Sequence, residues 1–225
     1  MRYFSNDNFS PHSMQTILEQ FWQGLLATSL LEAVAVCTGI LSVYFSRKLM
    51  VWVYPTGLVS TIIYTYLCWK GHLLGEASVN LYYTVMSLYG WYLWSQKNLA
   101  QAPVLQVTMD TNKAIVYQLL AFVAIYLLLF GALQFFQQYF APEAIPWADA
   151  AASASAYIGM YLMAKKKIMS WFWWIITNAI SIPLYFVKGY VFTSVQFMVL
   201  LVLAVLGAQA WYQAVPSTRK KAPLD

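Results

Sequence analysis

The sequence predicts an all-α integral membrane protein with seven transmembrane helices, arranged as two parallel three-helix repeats joined by a linker helix (3+1+3). Composition, the placement of positive charge and a weak internal repeat predict it. Of 225 residues, 61% are hydrophobic and 9% are charged, whereas soluble domains carry roughly 25% charged residues. So few charges cannot cover a water-facing surface, and lipid must cover much of the molecule.

Apolar stretches long enough to cross a bilayer define the elements, because a helical span needs about 20 residues. The predicted spans are 26–46, 50–69, 77–96, 114–137, 147–164, 171–188 and 190–213. Residues 14–25 are a candidate short interfacial helix before the first span. The predicted units are an N-terminal tail at 1–25, a first repeat at 26–96, a linker with the fourth helix at 97–146, a second repeat at 147–213 and a basic tail at 214–225.

Positive charge is distributed unequally between the two sides of the predicted membrane. With seven spans, ten of the thirteen Lys and Arg residues fall on one side, in three loops and the C-terminal tail. The positive-inside rule places that side in the cytoplasm, with the N-terminus outside. The net charge of +5 therefore follows from membrane topology, and nucleic acid is not expected as a partner.

A weak repeat relates the two halves. Glu32 precedes Asp149 by 117 positions, and the Gly90–Trp94 stretch precedes Gly207–Trp211 by the same spacing. Two consecutive triplets of helices would be inverted, but one additional helix between them makes them parallel. Parallel repeats are a known transporter architecture, with the substrate at the repeat interface near the midplane.

Catalytic groups are nearly absent from the predicted spans. The histidines, His12 and His72, both lie outside them, and no catalytic or metal motif occurs. We therefore expect neither an enzyme nor a cofactor. Cys37 and Cys68 lie in apolar stretches and are interpreted as buried, inert thiols.

Polar and aromatic side chains on the sixth span provide the best candidate binding face. Five of them lie within about 80° at 100° per residue: Trp171, Trp174, Asn178, Ser181 and Tyr185. Trp173 points elsewhere and is predicted to be an interfacial anchor. Small polar residues often only hold membrane helices together, but unpaired amide groups in hydrocarbon are costly, so Asn178 favours a ligand.

Other spans contribute weaker candidates. Asn80 and Thr84 share a face of the third span, and the mostly apolar seventh span offers Gln196. Trp94 and Trp211 end their helices and are interpreted as residues of the aromatic belt.

Charge inside the spans restricts the ligand. Glu32 and Asp149 are acids near a span that either bind a coupling ion or lie at wet helix ends. No Lys or Arg lies in the interior of a span to pair with a phosphate. Aromatic stacking is worth ~1–3 kcal/mol per base, and a desolvated cation over Trp gains ~2 kcal/mol. A planar, neutral or cationic, nucleoside-like or vitamin ligand is therefore expected.

The Trp171–Asn178 stretch and the Gly90–Trp94 stretch resemble the PnuC family of bacterial vitamin transporters, which carry nicotinamide riboside. The likeness covers roughly 26–213. It implies a fold like that of the SWEET sugar transporters, in the bacterial inner membrane. It also implies facilitated diffusion of the riboside, trapped by a cytoplasmic riboside kinase. The resemblance carries the binding role to Trp174 and Asn178 first, then to Trp171, Asn80, Tyr185 and Gln196.

Other functions stay open. Related members of that family take riboflavin or thiamine, which are also aromatic. A seven-helix receptor or sensor is the alternative of another class, although a receptor does not need two related halves. Association of several copies of the chain is left open.

Overall fold

The computed structural model describes residues 11–27, 29–70, 74–99, 101–140 and 145–215. These residues form eight α-helices and no strand longer than an isolated bridge. The helices are α1 (Pro11–Ala27), α2 (Leu30–Arg47), α3 (Val53–Lys70), α4 (Leu74–Ser95), α5 (Asn112–Phe140), α6 (Pro146–Ala164), α7 (Met169–Val187) and α8 (Val191–Ala214).

Seven of the helices, α2 to α8, lie within a few residues of the predicted spans. The largest difference is at the start of α2, which begins at Leu30 because the Ser29 hydroxyl caps it, accepting from the Glu32 amide at 3.2 Å. The candidate helix at 14–25 is a helix, α1, and runs to Ala27. The basic tail predicted at 214–225 lies almost entirely outside the described residues.

Four helices are long and apolar enough to cross a membrane by length and composition alone, within the part of the chain that the structure describes. They are α2, α7, α8 and residues 112–136 of α5. The other long helices, α3, α4 and α6, have at least 18 residues each. Polar and small residues lower their hydropathy, and such residues are common where membrane helices pack against each other.

Six of the described helices form a closed ring. In each half, the middle helix contacts both others, giving α2–α3–α4 and α6–α7–α8. The halves meet where α2 contacts α8 and where α4 contacts α6. Exchanging the two halves leaves this set of neighbours unchanged. Outside the ring, α5 contacts α6 and α1 contacts α8.

The turn between the first two helices has the same structure in both halves, at α2–α3 and at α6–α7. Leu49 and Lys166, 117 positions apart, both adopt a left-handed backbone, with φ of 57° and 51°. Their amides donate to Ser46 and Met163, which are also 117 apart, at 3.0 Å each. Ser46 and Met163 then contact each other, because the Ser46 hydroxyl lies 2.9 Å from the Met163 sulfur. The two halves thus meet at equivalent positions.

Each half contains a glycine that admits an aromatic ring. A Cβ at Gly90 would lie 2.4 Å from the Tyr54 ring, and one at Gly207 would lie 2.5 Å from the Trp171 ring. Such distances are impossible for real carbon atoms, so only glycine fits. Both the two glycines and the two rings are 117 positions apart.

Trp94 and Trp211 are core residues, so their interpretation as belt residues is wrong. They are 3% and 0% exposed. Each indole donates a hydrogen bond to the last turn of the first helix of the opposite half: Trp94 to the Ala164 carbonyl at 3.1 Å, and Trp211 to the Ser46 carbonyl at 2.9 Å. An indole N–H needs a partner when buried, and the other half provides it.

Gly207→Ala should destabilise the fold, because the added methyl group would overlap the Trp171 ring. Overpacking of this kind costs about 1–3 kcal/mol, so we expect a lower apparent melting temperature in detergent. Gly131→Ala is the matched control, since nothing lies within 4 Å of the position its Cβ would take. Equal melting temperatures for the two variants would contradict the close contact.

The 96–111 loop is held against the α6–α7 turn. Thr108 forms a parallel bridge there, donating to the Lys166 carbonyl at 3.1 Å and accepting from the Ile168 amide at 3.2 Å. The buried Lys166 ammonium donates to the Leu105 carbonyl at 2.9 Å and lies 4.4 Å from the Trp94 ring centroid. Burial lowers the pKa of Lys166.

Trp173 belongs to a buried hydrogen-bond chain, so its prediction as an interfacial anchor is wrong. It is 5% exposed, and its indole donates to the Gln118 side chain of α5 at 3.0 Å. Gln118 in turn donates to Asp110 at 3.0 Å. These two hydrogen bonds connect α7, α5 and the 96–111 loop.

Asp110→Asn should stabilise the protein at neutral pH. Burial raises the pKa of Asp110, and Lys167 only partly offsets it. The folded carboxyl therefore binds a proton more readily than the unfolded one, so its contribution to stability falls as pH rises above the ordinary value of 3.8. The gain in melting temperature should shrink as pH approaches that value. A gain independent of pH would contradict this origin.

The two thiols differ in environment. Cys37 is exposed on α2 and Cys68 is half-buried. The prediction that both are buried is wrong for Cys37, whose side chain is exposed among the described residues.

Candidate functional site

Asn178 is the buried amide of the candidate site. It lies on α7, the middle helix of the second half, and is 3% exposed. The described residues show no hydrogen bond to its side chain, and its amide atoms are not among the fully enclosed unpaired atoms. The equivalent residue in the first half, 117 positions earlier, is Thr61. The amide is therefore available to a ligand.

Trp174 lies one turn before Asn178 and brings three helices together. Its indole lies over Gly159 of α6, where a Cβ would be 3.3 Å from the ring. Its ring centroid is 5.9 Å from that of Tyr83 on α4. At the equivalent position in the first half stands Gly57, so the two halves differ here. Trp174 and Tyr83 together form an aromatic surface where α4 and α6 join the halves.

The sequence analysis missed Tyr83. A cluster of tyrosines marks the α4–α6 contact: Tyr82 donates to the Tyr157 carbonyl at 2.9 Å, and their ring centroids are 4.5 Å apart. The adjacent Tyr82-Tyr83 pair in the third predicted span was the available signal, but helical spacing alone does not show which partner a tyrosine meets.

Thr84 and Asn80 hold the first half together. The Thr84 hydroxyl donates to Thr61 on α3 at 2.9 Å and lies 3.0 Å from the Asn80 carbonyl. The Asn80 amide donates to the Glu76 carbonyl at 2.9 Å. On α8, the Gln196 side chain lies within hydrogen-bonding reach of the Tyr64 hydroxyl. These groups have protein partners, unlike Asn178.

Tyr185 stacks on Phe197 of α8, with ring centroids 5.2 Å apart and planes 13° apart. Lys188 lies 5.6 Å from the Tyr185 centroid. Its ammonium pairs with Asp149 at 2.8 Å, in a half-buried ion pair. Asp149 also accepts the Ile145 amide at 2.6 Å. The candidate coupling carboxylate at position 149 is thus already neutralised by a lysine.

Trp171 lies apart from Trp174. It is 1% exposed and packs in the core with Trp211, with ring centroids 5.4 Å apart and planes at 90°. Two side chains that share a helix face in the sequence therefore face different surroundings. Trp174 and Asn178 remain together, and Trp171 belongs to the contact between the halves.

The electrostatics of this region suit an uncharged or cationic aromatic ligand. Trp174 and Tyr83 provide ring faces, which attract cations. Asn178 provides a donor and an acceptor. The helix that carries Trp174 and Asn178, α7 (Met169–Val187), contains no Lys or Arg, and Lys188 directly after it pairs with Asp149.

The chain is similar to several known transporters. The PnuC nicotinamide riboside transporter of Escherichia coli K12 is 23% identical over 203 residues, covering 81% of this chain and 85% of that protein. The riboflavin/roseoflavin transporter RibM of Streptomyces davaonensis is 25% identical over 179 residues, covering 77% and 80%. A crystal structure of the vitamin B3 transporter PnuC matches with a TM-score of 0.65 at 22% identity, covering 92% of this chain and 93% of that one.

A family-wide comparison decides the assignment. The sequence model of the nicotinamide mononucleotide transporter family matches residues 29–213, which is every helix from α2 to α8 except the last residue of α8. The chain therefore belongs to this family of membrane transporters, the family of PnuC.

Proposed function

We propose that the protein takes up nicotinamide riboside across the bacterial inner membrane by facilitated diffusion. The buried, unpaired Asn178 beside the Trp174–Tyr83 aromatic surface is the observation that carries the proposal. A pyridinium ring suits the aromatic faces, since a desolvated cation over Trp gains about 2 kcal/mol. The carboxamide and ribose hydroxyls suit an amide that can both donate and accept. The names of the PnuC relatives support the same substrate.

The seven helices α2 to α8 would all span the membrane, as two parallel repeats with α5 as the linker. Supporting this plan are the equivalent turns, glycines and tryptophan hydrogen bonds that recur 117 positions apart. The charge distribution supports a cytoplasmic C-terminus and an N-terminus outside. The tail residues 216–225, with three of the positive charges, would be cytoplasmic.

Transport would proceed by rocking of the two halves. The Trp94–Ala164 and Trp211–Ser46 hydrogen bonds join the halves at one end of the ring, the end with the basic turns. Both must break for that end to open. In the cytoplasm, a riboside kinase would phosphorylate the product and trap it, so no ion gradient is needed. The Asp149–Lys188 ion pair supports uncoupled transport, because a paired carboxylate is a poor ion site.

The described helix that carries Asn178, α7, contains no Lys or Arg, and this argues against phosphorylated ligands. A phosphate group buried without an ammonium or guanidinium partner would lose its hydration without compensation. We therefore expect nicotinamide mononucleotide to be rejected.

Titration calorimetry on the purified protein tests the substrate, with nicotinamide riboside, nicotinamide mononucleotide, riboflavin and thiamine measured in parallel. Binding of the riboside with rejection of the mononucleotide is the expected result. The similarity to RibM favours riboflavin as the second candidate. Binding of riboflavin alone would keep the transporter and change its substrate.

A further inference from the structure

A largely open cavity of about 470 Å³ lies at the end of α4, and neither Asn178 nor Trp174 lines it. Its lining combines residues of the α4 end, the 96–111 loop and the α6–α7 turn. Its apolar wall is formed by Tyr89, Leu93 and Val104, and Lys165 and Lys167 also line the cavity. A lining of this kind suits a ligand with an apolar part and an anionic part.

The apolar wall continues along the outside of α4. Leu81, Val85, Leu88 and Tyr89 follow helical spacing on one side of that helix. They are 55%, 56%, 54% and 40% exposed. In a membrane transporter, such a stripe contacts lipid chains, and it leads directly into the cavity.

Lys165 and Lys167 differ in environment from Lys166, which lies between them in the sequence. The Lys166 ammonium is buried and donates to the Leu105 carbonyl. Lys165 and Lys167 are half-buried and line the cavity. Lys165 contacts the Tyr161 hydroxyl, which takes one of its three donors. Lys167 interacts with Asp110. Two ammonium groups against one carboxylate leave the cavity net positive.

We propose that this cavity binds the phosphate of an anionic phospholipid between Lys165 and Lys167, with the acyl chain along the exposed stripe of α4. Charge-assisted hydrogen bonds from lysine suit a phosphate, and basic pockets between membrane helices bind anionic headgroups. A soluble phosphate ester shares the anionic group but leaves the apolar wall uncovered. The site is independent of which vitamin is transported.

A bound lipid would hold the 96–111 loop on the second half, because the loop provides Val104, Leu105 and Thr108 to the same cavity. Stability of the whole transporter should then depend on lipid charge. The consequence is measurable without a transport assay.

The test titrates short-chain phosphatidylglycerol into the full-length protein in zwitterionic detergent and follows the apparent melting temperature. We expect the wild type to be stabilised. Lys165→Gln and Lys167→Gln should each raise the half-maximal lipid concentration about fivefold, from the typical ~1 kcal/mol per lysine near anionic lipid. Because the readout is the lipid-dependent shift, a lower starting stability of a variant does not disturb it.

Lys48→Gln is the matched control. Lys48 is 117 positions before Lys165 and lies over the Tyr44 ring at 4.8 Å, much as Lys165 lies over Tyr161 at 4.4 Å, but it does not line the cavity. Its variant should keep the wild-type lipid response. Loss of the response in Lys48→Gln, wild-type responses in both cavity variants, or no stabilisation by phosphatidylglycerol would overturn the proposal. Equal stabilisation by glycerol 3-phosphate would overturn the lipid assignment.

Discussion

Asn178→Leu should weaken nicotinamide riboside binding by roughly 30- to 150-fold, which corresponds to about 2–3 kcal/mol. Leucine has the same number of side-chain heavy atoms and the same branching as asparagine, so it replaces the amide with an apolar group of similar shape. It removes the buried amide that has no hydrogen-bond partner among the described residues and leaves the ligand's polar groups unpaired. Calorimetry with the purified variant measures the loss.

Thr177→Val is the control for this change. Thr177 is equally buried on the same turn, but its hydroxyl already donates to the Trp173 carbonyl at 3.0 Å. Its removal should leave riboside affinity within about twofold, since a hydroxyl bonded to its own helix contributes little to a ligand. Both variants should elute and melt like the wild type. Wild-type affinity in a folded Asn178→Leu protein would remove this residue from the site.

Bridging residues 46 and 163 should stop transport almost completely. The Ser46 hydroxyl and the Met163 sulfur are 2.9 Å apart across the contact between the two halves. Cysteine is shorter than methionine, so a short bis-methanethiosulfonate reagent would join Ser46→Cys and Met163→Cys. A covalent bridge there prevents the halves from separating at that end. Uptake into cells or vesicles should fall to background and return after reduction.

Single cysteine variants, in a background with Cys37→Ala and Cys68→Ala, control for reagent effects. A second control joins residues of the same half: Ile182→Cys and Ser194→Cys, at a position where the serine hydroxyl donates to the Ile182 carbonyl at 2.8 Å. That bridge should leave uptake largely intact. Undiminished uptake with the 46–163 bridge in place would exclude rocking of the halves at this contact.

The helices could be predicted because their length and hydropathy are local properties of the chain. The repeat could be predicted in part, since Gly90 and Gly207 recur at the spacing that the structure uses for ring contacts. The surroundings of the tryptophans could not. Trp94 and Trp211 read as interfacial residues because they end helices, but their hydrogen-bond acceptors lie on distant parts of the chain.

The candidate site shows the same limit. Trp174 and Asn178 are one turn apart, so their common face follows from helix geometry. Tyr83 reaches Trp174 only because α4 contacts α6 and Gly159 leaves room for the indole. Trp171 shares the predicted face but meets Trp211 instead. Helical periodicity gives the direction of a side chain and not the identity of the neighbour it meets.

Because Trp174 has Gly57 as its counterpart, the two halves have different roles in the proposed transport cycle. Trp174, Asn178 and Tyr185 all stand on one helix, α7, while the counterparts of the first two are Gly57 and Thr61. In the proposed rocking mechanism, a ligand bound mainly by this set would stay with the second half. The first half, which contributes Tyr83 to the aromatic surface, would move against it and expose the ligand to one compartment and then to the other. The two halves can therefore share one helix arrangement although most of the candidate ligand-binding side chains lie on the second half.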